Sequence, residues 1–283
     1  MEEKAYAKLN LTLDVLGKRE DGYHDLQMVM QSISLHDTVT LTEGEGPGVR
    51  AVSNLQYLPT GEHNLAVKAA LRFWAALGRE PECLDISLDK HIPVCAGMAG
   101  GSSDAAAVLR ALNRRAGSPF SPTELARIGE QVGSDVPYCV LGGTALAEGR
   151  GEILTPLPSL PSCWIVVCKP DFPISTPELF ARIDGVKLRC RPDTDGVREA
   201  LEAGDLEGVA RRMYNVFEDV LPQPYRGRVE ELKQLLIQNG ALGANMSGSG
   251  PTAFGLFREE GQARRAYQAI LPHCKDTFLC QTV

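Results

Sequence analysis

Residues 84–112, LDISLDKHIPVCAGMAGGSSDAAAVLRAL, change backbone regime across one short glycine-rich segment. Leu84, Ile86 and Leu88 alternate with Asp85, Ser87 and Asp89, the period-two pattern of a strand ending near Lys90. From Asp104 to Arg115 the residues are alanine- and leucine-rich, and Gly117 follows them, so this stretch is expected to be a helix. A strand, a glycine turn and a helix in succession are the physical recipe for an anion site. The glycines let backbone approach closely, and the unpaired N–H groups of the first helical turn favour negative charge. The segment is not a Walker A loop, because no lysine follows its last glycine, and it is not G-x-G-x-x-G. Ser102 and Ser103 suit either a helix cap or a phosphate or metal contact. On spacing alone, a phosphate loop and a tight turn with a serine cap stay equally open.

The rest of the chain sets this segment in an α+β pattern. Ala5, Ala7, Leu9, Leu11, Leu13 and Val15 alternate with polar residues, which predicts a half-buried strand with Lys8 and Asn10 on one face. A helix is expected over Asn64–Leu77 with Asn64 as its N-cap, and Ser121-Pro122-Thr123-Glu124 has capping-box spacing. EGPG (Glu45–Gly48) reads as a turn, and SDVPYCVLGG followed by TALAEGRGEILTPL as turn and strand. CWIVVCKP predicts a buried strand, STPELF a helix start, and Leu206–Leu221, Val229–Asn239 and Glu260–Ile270 three helices. A strand at Thr277–Val283 closes the chain. The proline- and serine-rich TPLPSLPS divides the 283 residues into expected domains 1–157 and 158–283.

Composition removes several classes. A net charge of -7 with no basic stripe argues against a nucleic-acid partner. No apolar run approaches the ~18–20 residues of a membrane span, and with its charged start MEEKAYAKLN the chain is expected to carry no secretory leader. The eight cysteines form no C-x-x-C pair and suit free thiols in a reducing cytoplasm. Four further features are each compatible with plain structural roles. They are Lys8 in its strand, Asp135 in QVGSDVPYC, Tyr23 and His24 in EDGYH, which could meet a planar base, and the turn MSGSGPT.

Taken together and in order, KLNLTLDVLGKREDGYHDL, IPVCAGMAGGSSDAAA, VGSDVPYC and MSGSGPTAFGLF resemble the GHMP kinases from Lys4 to the final strand. The resemblance is narrower to members that phosphorylate a CDP-linked methylerythritol of the non-mevalonate isoprenoid pathway. It implies a two-domain α+β kinase, with a ribosomal-S5-domain-2-like N-terminal half, a ferredoxin-like C-terminal half and the active site in the cleft between. It implies that Pro93, Val94, Cys95, Ala96, Gly97, Met98, Ala99, Gly100, Gly101, Ser102 and Ser103 wrap the phosphates of ATP, with Lys90 and Asn64 bordering the adenosine. Asp135 would be the catalytic carboxylate and Lys8 its partner. Tyr23, His24 and Asn10 would take the CDP end of the substrate, Phe180 the cytosine face, and Thr176 would lie nearby. ATP is implied as co-substrate, with Mg²⁺ held mainly through it, in a monomer or weak homodimer.

Cys95 and Ala99 stand where many GHMP kinases have glycine, and they are expected to fit at negative φ. Two rivals are another GHMP kinase, acting on homoserine, mevalonate or a sugar, and a nucleotide-binding sensor without catalysis. EDGYH argues against the first, since those acceptors carry no base. The presence of Lys8, Asp135, Ser102 and Ser103 argues against the second.

Overall fold

The computed structural model describes residues 1–44, 46–188, 190–223 and 225–283, so the turn expected at Glu45–Gly48 begins outside the described residues. The chain gathers into two compact units, each built from separated segments. Met1–Ala7, Leu35–Val94 and Ala99–Gly142 form the first; Lys8–Ser34, Cys95–Met98 and Gly143–Val283 form the second. Two long strands, β1 (Glu2–Lys18) and β2 (His24–Glu43), contribute a stretch to each.

In the first unit, β4 (Leu84–Asp89) pairs antiparallel with β2 over Thr38–Glu43 and parallel with β3 (Val49–Ser53). Met1 joins this sheet by exchanging 2.8 Å hydrogen bonds with Leu41 in both directions. The alternation read in the sequence sends Leu84, Ile86 and Leu88 into one core with Val39, Leu41 and Ala51. Helices α1 (Leu65–Leu77), α2 (Gly100–Arg115), α3 (Pro122–Glu130) and α4 (Val136–Leu141) complete it through residues such as Phe73, Trp74, Val108, Leu112, Ile128 and Val136. Asn64 caps α1 and Ser121 caps α3 with a full capping box, as their spacing predicts.

In the second unit, β2 pairs with β5 (Thr144–Gly149), which pairs with β6 (Ile153–Pro156). Helices α5 (Thr176–Asp184), α6 (Thr194–Glu202) and α7 (Leu206–Arg212) lead to β8 (Tyr214–Asn215), which runs parallel to β1 at Thr12 and Leu13. Four antiparallel strands form a separate sheet in the order β11-β7-β10-β9, with β7 spanning Trp164–Lys169, β9 Gly243–Met246, β10 Ala253–Phe257 and β11 Asp276–Gln281. Short α8 (Phe217–Val220) precedes α9 (Tyr225–Gln238), and α9 and α10 (Glu260–Ile270) bury Leu232, Leu236, Ala263, Ala266 and Ile270 against Val166, Cys168, Ala253 and Phe257. All eight cysteines are free thiols.

Two local expectations give way, and one helix is added. SDVPYCVLGG, expected as a turn, contains the helix α4, whose first turn tolerates Pro137 because the missing N–H there costs nothing, and the strand expected after it is present as β5 and β6. The single helix expected over Leu206–Leu221 is broken at Met213 (φ -58°, ψ 126°), and the chain becomes strand β8. Asn215 fixes that break: its Nδ2 donates to Met246 O and Gly248 O, both at 2.8 Å, and its Oδ1 accepts from Phe217 N at 3.0 Å. Helix α6 is an addition, started by Asp193, whose side chain accepts from Gly196 N.

Asn215 is buried and satisfies three backbone groups, and each buried group left unpaired costs about 1–3 kcal/mol. Asn215→Ala is therefore expected to lower unfolding free energy by about 3 kcal/mol or more, read as a lower urea midpoint at unchanged slope.

Candidate active site

The segment between β4 and α2 is shaped by alternating backbone handedness. Cys95 (φ 54°), Gly97 (φ 71°) and Ala99 (φ 58°) are left-handed, and Ala96 and Met98 between them are not. Such alternation turns successive N–H groups into one concavity that binds anions. The concavity runs straight into α2, whose N-cap is Ala99 with no side-chain cap hydrogen bond. The expectation of negative φ at Cys95 and Ala99 is thus overturned. Both take the conformation glycine would favour, at about 1–2 kcal/mol each, because the loop's alternation requires it. Neither serine caps the helix. Ser103 Oγ donates to Tyr6 O at 2.7 Å and its N–H to Ala99 O at 2.8 Å, while Ser102 stays half-exposed.

The loop tip is strapped down within the second unit. Ser247 Oγ accepts from Asn10 N at 3.3 Å and donates to Gly97 O at 2.9 Å, and Lys8 N donates to Met98 O at 3.2 Å. Gly97 is required twice over, since a Cβ there would lie 2.2 Å from the Ser247 carbonyl oxygen. Ser247 belongs to the MSGSGPT turn, whose sequence alone gave no role to this residue.

Lys8 and Asn10 share a face of β1, as alternation predicts, but that strand is not half-buried. From Ala7 to Val15 both faces are enclosed. Lys8 is only 4% exposed, and its Nζ donates to Asn10 Oδ1 at 2.6 Å, while Asn10 Nδ2 reaches Met28 Sδ at 3.3 Å. A sealed ammonium costs free energy unless it is paired, so the ordinary solvent-facing lysine does not describe this residue. Asp135 is the N-cap of α4, half-buried, and its side chain does not cap that helix.

His24 and Phe180 come together: their rings stack at 4.5 Å and 19°, and Phe217 meets Phe180 edge-on at 5.1 Å. His24 Nε2 lies 2.7 Å from Asp184 Oδ1, and Lys18 Nζ bonds Asp184 Oδ2 at 2.9 Å. The hydrogen bond with His24, then that with Lys18, holds the Asp184 carboxyl below its usual range. Tyr23 stands apart from this stack, 55% exposed, with the Arg150 guanidinium 5.2 Å from its ring centre. Thr176 opens α5 and shares a 2.7 Å hydrogen bond with Ser249.

Asn64 and Lys90 are spent on protein groups. Asn64 Oδ1 accepts from Ala66 N at 2.9 Å and its Nδ2 donates to Pro59 O at 2.8 Å. Lys90 is buried between two carboxylates: Nζ donates to Asp104 Oδ2 at 2.6 Å and to Asp37 Oδ2. Burial works against its charge, yet the Asp104 and Asp37 carboxylates raise the Lys90 ammonium above its usual range. Burial pushes the Asp104 carboxyl up to about 7, with Lys90 pulling the other way and Asp37 adding repulsion. Asp104 Oδ1 has no hydrogen-bond partner among the described residues. Asp37 and Asp104 carry no motif in the sequence. Strand pairing and the start of α2 bring them to Lys90.

A strand-to-helix anion loop beside a sealed lysine is the equipment of a phosphate-transferring enzyme. Residues 64–143 match the GHMP kinases N terminal domain and residues 197–276 the GHMP kinases C terminal domain, and the chain belongs to the GHMP kinases. It is 44% identical over 281 residues to the 4-diphosphocytidyl-2-C-methyl-D-erythritol kinase of Alkaliphilus metalliredigens, covering 99% of this chain and 95% of that protein. It is 41% identical over 285 residues to the kinase of the same name from Clostridium perfringens, covering 100% and 98%. A crystal structure of 4-(cytidine 5'-diphospho)-2C-methyl-D-erythritol kinase superposes with a TM-score of 0.83 at 33% identity, over 100% of this chain and 99% of that one. The homoserine kinase of Cytophaga hutchinsonii (TM-score 0.74, 20% identity, coverage 100% and 94%) shares the fold. The resemblance carried by the four sequence segments is borne out.

Asp104 gives a pH signature. Its carboxyl is raised to about 7 from an unfolded value near ~3.9, so its contribution to stability is full below about pH 4 and is lost as pH rises through about 7. Relative to Asp104→Asn, the wild-type protein is expected to lose more than about 1 kcal/mol between pH 5 and pH 8, measured from urea midpoints of both proteins at each pH.

Proposed function

We propose that this chain transfers the γ-phosphate of ATP to the 2-hydroxyl of 4-diphosphocytidyl-2-C-methyl-D-erythritol, giving the 2-phosphate and ADP, in the non-mevalonate isoprenoid precursor pathway. The observation that carries this reading is identity of 41–44% along almost the whole chain with kinases of that name. The loop geometry supports it, since alternating N–H groups and an uncapped helix start are what a polyphosphate needs.

In this reading Pro93 to Ser103 wrap the phosphates. Asp135 orients the acceptor hydroxyl and accepts its proton, and Lys8 supplies positive charge at the transferring group. Mg²⁺ would shield the phosphate charge. The described residues hold no cluster of three or more His, Cys, Asp or Glu side chains that could hold a metal ion. The Ser103 hydroxyl proton is donated to Tyr6 O, so any contact of this residue with the cation would be through its oxygen lone pairs. The stacked His24 and Phe180, with exposed Tyr23, offer flat surfaces and a polar edge for a cytosine, with Asn10 and Thr176 toward the remainder of the substrate. The same reading assigns residues 1–157 to the ATP loop and the catalytic pair, and residues 158–283 to Phe180 and Thr176. It places the protein in the cytoplasm as a monomer or weak homodimer without a nucleic-acid partner. No helix among the described residues is long and apolar enough to cross a membrane.

A coupled ADP-release assay tests the reading. ADP release is expected to require both ATP and the CDP-linked alcohol, and to fall by about 10²–10⁴-fold in Asp135→Asn with ATP binding retained. Turnover only with homoserine, mevalonate or a sugar would replace the substrate and keep the kinase. Tight ATP binding with no turnover on any acceptor would leave a nucleotide sensor.

A further inference from the structure

The loop between β4 and α2 holds three left-handed residues, two of them not glycine, and such backbone persists only where its surroundings over-determine it. In the first unit the supports converge on one buried cluster. Asp37 Oδ1 accepts from His91 N at 2.5 Å and Ile92 N at 2.7 Å, the last residues before the loop. Its Oδ2 meets Lys90 Nζ, and the same ammonium reaches across to Asp104 Oδ2 at 2.6 Å, in the first turns of the helix on which the loop ends. Asn54 fastens the Lys90 backbone in both directions, accepting from its N–H at 2.9 Å and donating to its carbonyl at 3.1 Å. A Cβ added to Gly100 would lie 3.1 Å from Ile92 Cγ2 and 3.5 Å from Lys90 Nζ, so the first helical residue is packed directly on this cluster.

We infer that Asp37, Lys90 and Asp104 are positioning residues that clamp the two ends of the ATP loop together, and that Lys90 acts through this clamp rather than by touching the nucleotide. The inference rests on the loop's binding ATP, and it is independent of which alcohol accepts the phosphate. Lys90 has its ammonium committed to two carboxylates and its side chain 3% exposed, so the cluster has no charge to offer a ligand. What it offers is geometry: with the cluster intact, the entering strand and the departing helix are joined by a charge-assisted bridge.

The test is ADP affinity by calorimetry on the full chain, with KM for ATP and for the acceptor, in Asp104→Asn, Lys90→Met and the double variant. Each single variant is expected to weaken ADP at least tenfold and to raise KM for ATP in step, with the acceptor KM within threefold. The double variant is expected to lose no more than the worse single one, because the residues act as a unit. Loss of ADP affinity in Lys90→Met but not in Asp104→Asn would overturn the inference in favour of direct contact. Unchanged ADP affinity in the variants with a lowered unfolding temperature would overturn it in favour of a purely structural cluster. If Lys90→Met does not fold, Asp104→Asn decides alone: tenfold weaker ADP with the acceptor KM unmoved supports the clamp, and unchanged ADP affinity refutes it. ADP binding needs no acceptor, so a wrong substrate assignment would show as absent turnover with this pattern of affinities intact.

Discussion

The alternation of handedness at Cys95, Gly97 and Ala99 is the constraint around which the surrounding residues are arranged. A backbone of this kind presents its N–H groups to one side, and unsupported it would relax, because L-residues resist the left-handed region. Support comes from residues far away in sequence. Ser247 and Lys8 hold the tip through Gly97 O and Met98 O, and Asp37 holds the approach through His91 and Ile92. In the proposed reading, the stability given up in the strained loop leaves the anion site already in its binding shape, so a ligand need not supply the ordering energy itself.

The second dependence is the enclosure of β1. A strand carrying Lys8, Asn10, Thr12 and Asp14 on one face is buried on both, and nearly every polar atom there is matched. Thr12 Oγ1 accepts from Val29 N at 3.0 Å, Asp14 Oδ1 accepts from Arg191 Nη1 at 2.6 Å, and Asn245 Nδ2 donates to Leu11 O at 3.1 Å. Asn215 in turn holds the turn that contains Ser247 and Gly248. Asn215 and Asn245, with the pairing of β8, thus tie this turn to β1 within the second unit.

Locally encoded features were legible in the sequence. Asn64 and Ser121 mark helix starts because a cap is chosen by the two or three residues beside it, and Leu84, Ile86 and Leu88 mark a strand by alternation alone. The glycine segment was legible as a strand-to-helix turn, but its exact strain was not: nothing in a cysteine or an alanine announces positive φ. Asp37 in SISLHDTVTLTE and Asp104 in GSSDAAA look like ordinary polar residues, and only strand pairing and helix placement give them Lys90 as a partner. Likewise His24 could be suspected of meeting a base, but its stack on Phe180 and its carboxylate, Asp184, are products of the tertiary fold. The break at Met213 failed as a sequence inference for the same reason, since helix propensity there yields to the three hydrogen bonds of Asn215 and to pairing with β1.

The central claim is that the loop delivers a γ-phosphate to one hydroxyl of a CDP-linked alcohol. The most direct measurement is ³¹P and ¹³C NMR of the product formed from ATP, Mg²⁺ and 4-diphosphocytidyl-2-C-methyl-D-erythritol by this protein. The account predicts one new phosphomonoester resonance, coupled to carbon 2 of the erythritol, with the diphosphate bridge to cytidine unchanged. ADP and inorganic phosphate with no monoester, or a monoester on a different carbon, would contradict it.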